Sequence, residues 1–119
     1  MKTKKALLIV ESPKIAFNRA FRVISKPSRK YEGLTILSFP DYETLGKAIT
    51  GARIELLNVI RVKKPKSIQQ LARFVGRDFK NVYMDVKFLK AVGLIELKEK
   101  GARRSSIPEA KFEELLLAA

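Results

Sequence analysis

Residues 67–89 constrain the fold most strongly, because two amphipathic segments lie there on either side of a short turn. Ser67 and Gln70 fit a capping box, in which the Ser67 hydroxyl accepts from an amide one turn later and Gln70 reaches back. Gly76 can adopt the left-handed conformation that ends a helix, and Asp78 can cap the next one. Two helices joined by the three residues 76–78 predict a helix-turn-helix. The apolar positions of the first helix are Ile68, Leu71, Ala72 and Val75.

The second helix of this motif is predicted to have two contrasting faces. The side expected to be buried carries Phe79, Val82, Val86 and Leu89. At about 100° per residue, the opposite side collects Lys80, Met84, Lys87 and Ala91, with Asn81 beside them. Lysines suit phosphates or guanine edges, an amide suits adenine, and a methionine suits the thymine methyl group. This face is therefore a candidate DNA-reading surface, with an ordinary solvated helix face as the alternative. Phe88 points away from the core, so we expect it to pack on the N-terminal extension or on a partner subunit.

A basic hairpin is expected directly after this helix. Gly93 ends the helix, and the alternation over residues 94–98 predicts a strand followed by a loop over residues 99–106. This hairpin carries Lys98, Lys100, Arg103 and Arg104, as a wing that contacts the DNA backbone or minor groove requires. Residues 109–118 stay open between a third wing strand and a helix. The local pattern favours a helix that begins at Pro108, whereas wing topology requires a strand.

The N-terminal residues predict a small extension. The apolar run Lys5–Val10 and the alternation over Leu34–Phe39 indicate strands, and helical spacing predicts a helix over Pro13–Ile24. Asp41 is expected to cap a short helix, and a second helix follows in which Ile54, Leu56, Leu57 and Ile60 face inward. The expected class is α+β, with residues 1–40 as a basic β-α-β extension and possible dimerisation element, and residues 41–119 as a winged helix-turn-helix domain.

The net charge of the chain indicates which kind of partner it binds. The chain has 25 Lys and Arg against 12 Asp and Glu, which gives a formal net charge of +13. A charge of this sign and size attracts polyanions, because cations placed near phosphates release condensed counterions. Residues 1–40 are the most basic part, with nine basic and two acidic residues. A solvated basic surface, or affinity for an anionic membrane, are the alternatives.

Composition also bears on catalysis and location. The chain lacks Cys and His, which removes thiolate and imidazole chemistry and the usual zinc ligands. Asp41 and Glu43 could hold a metal ion, but both lie at an expected helix start, where acidic residues cap and complement the helix dipole. We therefore expect no enzyme and no cofactor. The apolar run at residues 6–10 is too short for a signal peptide or a membrane span, so we expect a cytoplasmic protein without a membrane partner.

The region 65–97 resembles a group of small bacterial and archaeal MarR-like winged helix-turn-helix regulators. The shared residues are Pro65, Ser67-Ile68, Leu71-Ala72, Gly76-Arg77-Asp78, Asn81-Val82, Asp85, Leu89 and Gly93-Leu94-Ile95, with Val86 where the family has leucine. The resemblance extends more weakly over residues 39–98. Tyr83-Met84 departs from the family, whose members tend to carry polar or basic residues there, and so does the tail from Glu109.

The resemblance implies DNA binding by a homodimer on a palindromic operator. Arg77, Lys80, Asn81 and Lys87 would contact DNA, whereas Asp85 would orient Arg77 or another basic neighbour. We expect a sequence-specific regulator of transcription, acting as a repressor through recognition helix 78–92 and the basic wing, with a possible co-transcribed protein partner. A winged-helix module for protein or RNA interaction is the alternative. The candidate DNA contacts are Ser67, Arg77, Lys80, Asn81, Met84, Lys87, Lys98, Lys100, Arg103 and Arg104.

Overall fold

The computed structural model describes residues 4–25, 33–100 and 105–118, which form helices and strands of the α+β class. The elements in chain order are β1 (Lys5–Val10), α1 (Pro13–Ser25), β2 (Leu34–Phe39), α2 (Tyr42–Ala48), α3 (Gly51–Lys63), α4 (Ile68–Val75), α5 (Phe79–Ala91), β3 (Ile95–Lys100), β4 (Ser105–Ala110) and β5 (Glu114–Ala118). They fall into two compact units. We call residues 1–49 with 112–119 the sheet unit, and residues 50–111 the helical unit.

The sheet unit is built on three parallel strands in the order β2-β1-β5. Lys5 of β1 pairs with Leu34 of β2 and with Glu114 of β5, and the register continues along both pairs. Ala6 and Leu8 of the central strand are buried. Parallel neighbours need a crossover connection, which the segment containing α1 provides between β1 and β2.

Helix α1 is fixed at its start and near its middle. Pro13 occupies the first helical position, where its missing N–H costs no hydrogen bond. The Arg19 guanidinium donates to Glu11 Oε2 at 2.7 Å and to Ser38 Oγ at 3.0 Å, which ties the helix to the residues at the ends of β1 and β2. Ser38 also donates to Glu11. The Ser38 and Arg19 hydrogen bonds hold the pKa of Glu11 below its ordinary value.

Capped helices form much of the helical unit. Thr50 Oγ1 accepts from Arg53 N at 3.2 Å at the start of α3. Leu56, Leu57 and Ile60 of α3 are buried as predicted. The inward position predicted for Ile54 is wrong, because this residue is 45% exposed. Six residues before Ile60, it lies about 120° around the helix from it.

The C-terminal strands correct two expectations. The helix favoured by the pattern after Pro108 is not formed, because Pro108 lies in β4, which pairs antiparallel with β3. A proline is tolerated there because β4 is an edge strand, which among the described strands pairs with β3 alone. Strand β5 is not a third strand of this hairpin, since it pairs with β1 in the sheet unit. The unit boundaries therefore differ from the expected division at residues 40 and 41: α2, which contacts β2, and β5 both belong to the sheet unit.

Candidate nucleic-acid interface

The turn between α4 and α5 follows the predicted chemistry in most details. Ser67 Oγ accepts from Gln70 N at 3.0 Å, whereas Gln70 Oε1 accepts from Lys66 N at 2.7 Å, one residue earlier than a capping box requires. Gly76 has φ 68° and ψ 34°, the left-handed conformation, and its N–H donates to carbonyls of α4. The predicted cap at Asp78 is wrong: its side chain makes no capping hydrogen bond and is exposed.

Helix α5 buries one stripe and leaves the opposite one outward. Val82, Val86 and Leu89 are fully buried, as predicted. Phe79 is not buried with them, since it is 45% exposed and its ring stacks on Tyr83 at a centroid distance of 5.9 Å. Phe79 lies in the first turn of the helix, where it packs on the residue at position i+4 instead of in the core.

The side chains predicted to read DNA share the outward stripe. Lys80, Asn81, Met84 and Lys87 are all exposed, Met84 to 62%. Lys87 Nζ lies 5.3 Å from the centre of the Tyr83 ring, a cation-π distance. Within α5 the stripe thus combines ammonium groups, an amide and a thioether on one surface, flanked by the Phe79–Tyr83 stack.

The carboxylate of Asp85, on α5, binds two arginines. Asp85 Oδ2 accepts from Arg77 Nη2 at 2.8 Å, and Asp85 Oδ1 accepts from Arg53 Nε at 3.1 Å. The Arg53 guanidinium lies 3.8 Å from the centre of the Phe88 ring. Phe88 therefore packs on Arg53 within the helical unit, and its packing on the extension or on a partner subunit stays a prediction. The role expected for Asp85, orienting a basic neighbour, is confirmed for Arg77.

The Arg77 side chain is held in place by the protein, unlike an arginine that is free to contact a phosphate. Its side chain is 29% exposed and points onto Asp85. Its Nη1 atom is buried and has no hydrogen-bond partner among the described residues. The cluster of Arg53, Asp85 and Arg77 joins α3, the turn and α5, and it carries one more positive charge than negative.

The hairpin of β3 and β4 places Lys98 on its first strand. Lys98 Nζ lies 3.0 Å from Glu109 Oε2 on the paired strand, and this hydrogen-bonded carboxylate raises the pKa of Lys98. Lys100 ends β3, whereas the predicted wing residues Arg103 and Arg104 lie outside the described residues. In the described part of the hairpin, Lys98 is thus partly neutralised.

The two carboxylates considered for metal binding have other partners. Asp41 Oδ1 accepts from Thr44 N at 2.7 Å, which caps α2 and lowers the pKa of Asp41, and Glu43 forms an ion pair with Lys47 at 3.2 Å. Within residues 4–25, 33–100 and 105–118, no group of three or more potential metal ligands occurs. No helix in these same ranges has both the length and the apolar character of a membrane span.

Sequence reasoning missed Arg53 and the stacked pair Phe79–Tyr83. The i,i+4 spacing of two aromatic residues on a helix is a local signal that could have revealed the stack. Arg53 and Asp85 are 32 residues apart, and no local pattern connects them.

Comparison with known protein families finds one family that matches the part of the chain carrying this surface. The model of the protein family HVO_A0114 matches residues 48–116, more than half of the chain. The match includes α3, α4, α5 and the hairpin. None of the curated proteins matches the chain.

Proposed function

The chain belongs to the HVO_A0114 family, and we propose that it is a winged helix-turn-helix regulator of transcription, similar to MarR-like proteins, that binds double-stranded DNA as a homodimer. The observation that carries the proposal is the outward stripe of α5. Four side chains able to contact phosphates and base edges are exposed there, while the opposite stripe is buried. The capped α4 and the glycine turn hold α5 in this orientation.

An α-helix with such a stripe fits the major groove, where the edges of all four base pairs can be distinguished. Lys80 and Lys87 would contact phosphates or guanine, Asn81 would pair with adenine, and Met84 would contact a thymine methyl group. Repulsion from Asp85, the acidic residue of α5, is offset because two arginines neutralise it. The helix therefore presents net positive charge to the DNA.

The remaining candidates have supporting roles in this proposal. Ser67 caps α4 with its oxygen lone pair, which leaves the hydroxyl hydrogen free to donate to a phosphate. Arg77, whose side chain is held by Asp85, would contact the DNA backbone at the start of α5. Lys98, Lys100, Arg103 and Arg104 of the wing would contact the flanking backbone or the minor groove. Two copies would place their α5 helices in successive major grooves, about 34 Å apart.

The binding test uses fluorescence anisotropy with labelled duplex DNA selected from a random pool. We expect the Lys80→Ala/Lys87→Ala variant to bind at least about 30-fold more weakly, and its slope of log K against log salt to fall by about 2. The matched control is Lys5→Ala/Lys47→Ala, which removes two charges from the sheet unit. Equal affinities of the two double variants would refute α5 as the recognition helix.

The base-reading role of Asn81 needs a separate measurement. Asn81→Ala should relax the preference for adenine at one position in the selected sites and cost about 1–3 kcal/mol of binding free energy on the preferred site. On unselected duplex, its affinity should stay near that of the wild type. A loss of the same size on every sequence would identify Asn81 as a backbone contact instead.

A second candidate function, RNA interaction, is favoured by the Phe79–Tyr83 stack beside Lys87. Half-exposed aromatic rings next to a cation are the features with which proteins stack single-stranded bases. Competition between duplex DNA and structured RNA at matched salt separates the two functions. Stronger binding to RNA, lost in Tyr83→Ala but kept in Met84→Ala, would favour this second function.

In the cell, we propose that the protein acts as a repressor in the cytoplasm. A chain without cysteine has no disulfide that a reducing compartment could break. A reporter gene behind the selected site measures the sign of regulation. If reporter expression rises when the gene for this protein is deleted, the result supports repression. If reporter expression falls, it supports activation.

A further inference from the structure

Helix α1 carries an apolar stripe that the described residues of its own unit do not cover. Phe17 is 69% exposed, Phe21 63% and Ile24 79%, and no residue of this helix is buried. With Ala20, these side chains occupy positions i, i+3, i+4 and i+7 of one helix face. A continuous stripe of this kind marks an interaction site more often than scattered apolar residues do.

The stripe is not a consequence of an undocked helix. On another side of α1, Arg19 binds Glu11 and Ser38, and Ala16 and Val23 are half-buried. The helix is therefore already fixed to its own unit by one side. The stripe is the surface that remains for a partner.

We propose that the stripe binds the same stripe of a second copy, with the two α1 helices antiparallel about a twofold axis near Ala20 and Phe21. A twofold interface must be self-complementary. Here Phe17 of each copy would meet Ile24 of the other, and the small Ala20 at the centre allows the helices to approach closely. No charged residue lies within the stripe.

The exposed area is sufficient for the core of such an interface. A phenylalanine can bury about 150–250 Å², so the two rings with Ile24 and Ala20 offer about 400 Å² per copy. A standard interface buries about 800 Å² per partner, and its core is surrounded by a more polar rim. The stripe supplies about half of that area, and neighbouring side chains of α1 can supply the rim.

Electrostatic repulsion does not prevent this pairing. Lys14 borders the stripe, and α1 has no acidic residue to compensate it. Lys14 lies about 10 Å along the helix from the axis, at 1.5 Å per residue, so the two copies of Lys14 are about 20 Å apart. This separation exceeds the Debye length of about 8 Å at physiological ionic strength. An anionic lipid surface would also match an apolar and basic helix, and the test includes it.

The biological role of this dimer rests on the proposed function, because it would deliver two recognition helices to one operator. The exposed stripe itself does not depend on DNA binding. Self-association is therefore measured without DNA, by sedimentation velocity over a range of protein concentrations, and duplex binding is measured separately.

Phe21→Glu is the disrupting variant, and Asn18→Glu is its control, because it adds the same charge at an exposed position of α1 outside the stripe. Wild-type and Asn18→Glu chains should dimerise, and Phe21→Glu should raise the dissociation constant at least about 100-fold. Circular dichroism should show equal helix content in all three. A cysteine at position 20 adds a second readout, since the chain has no other cysteine. Ala20→Cys should form an interchain disulfide readily, and Asn18→Cys should not.

Several results would overturn the interface. These are a wild-type monomer at tens of micromolar, equal dissociation constants for Phe21→Glu and Asn18→Glu, or equal cross-linking of the two cysteine variants. Binding to phosphatidylserine vesicles that Phe21→Glu abolishes, in a chain that stays monomeric, would assign the stripe to a membrane. A dimer that fails to bind duplex DNA would instead refute the proposed function and leave the interface intact.

Discussion

Replacing Asp85 by Asn tests whether one carboxylate holds the helical unit together. The substitution keeps the side-chain shape but leaves Arg53 and Arg77 without their shared anion. Their side chains are 20% and 29% exposed, and that of Asp85 is 15% exposed, so solvent screens the cluster only in part. The loss of stability should therefore lie between the loss for an exposed ion pair and the loss for a buried one.

The limits set the magnitude. Exposed ion pairs contribute about 0–1 kcal/mol, and removing one partner of a buried pair costs about 3–5 kcal/mol. For Asp85→Asn we expect a loss of about 2–3 kcal/mol in the free energy of unfolding. For a unit of this size this loss lowers the melting temperature by on the order of 10 °C.

Urea denaturation followed by circular dichroism measures this loss. Glu43→Gln is the control, because its i,i+4 pair with Lys47 is exposed and should contribute less than about 0.5 kcal/mol. The loss in Asp85→Asn should largely persist at high salt, since partly buried charges are screened less. A loss no greater than that of Glu43→Gln would refute the idea that the cluster is structural.

Three further predictions concern stability. Gly76→Ala should cost about 1–2 kcal/mol in urea denaturation, since its φ of 68° strains any residue with a Cβ; an unchanged midpoint would contradict the turn geometry. Leu71→Ala should cost about 2–5 kcal/mol, because Leu71 is fully buried; a loss below about 1 kcal/mol would show a loosely packed core. The pKa of Glu11 is lowered on folding, so its stabilisation is present above its unfolded-state pKa and disappears as the pH falls through its folded-state pKa; Glu11→Gln should flatten this part of the stability profile, and an unaltered profile would contradict it.

Local patterns predicted the elements whose signals are local. The bounds of β1 and β2 were predicted to the residue, and α1 ends one residue beyond the predicted end. Proline, serine and glycine at the ends of these segments carried that information. The cap at Ser67 and the left-handed Gly76 followed from the same kind of signal.

What the sequence did not reveal depends on pairing between distant residues. The cluster of Arg53 and Asp85 joins two helices, and the pairing of Lys5 with Glu114 joins strands from opposite parts of the chain. The consecutive apolar residues before Ala118 suit a strand or a helix equally well. Only the availability of an edge of β1 decides between them, and that edge is a property of the folded sheet.

The place of β1 between β2 and β5 has a consequence for folding during synthesis. The helical unit is one continuous segment, so all of it has been translated when residue 111 emerges from the ribosome. Strand β1 emerges much earlier, yet one of its edges has no neighbour until Glu114–Ala118 follows. We therefore expect the helical unit to reach its native structure first, while the nascent β1 edge is open to chaperones or to unwanted pairing.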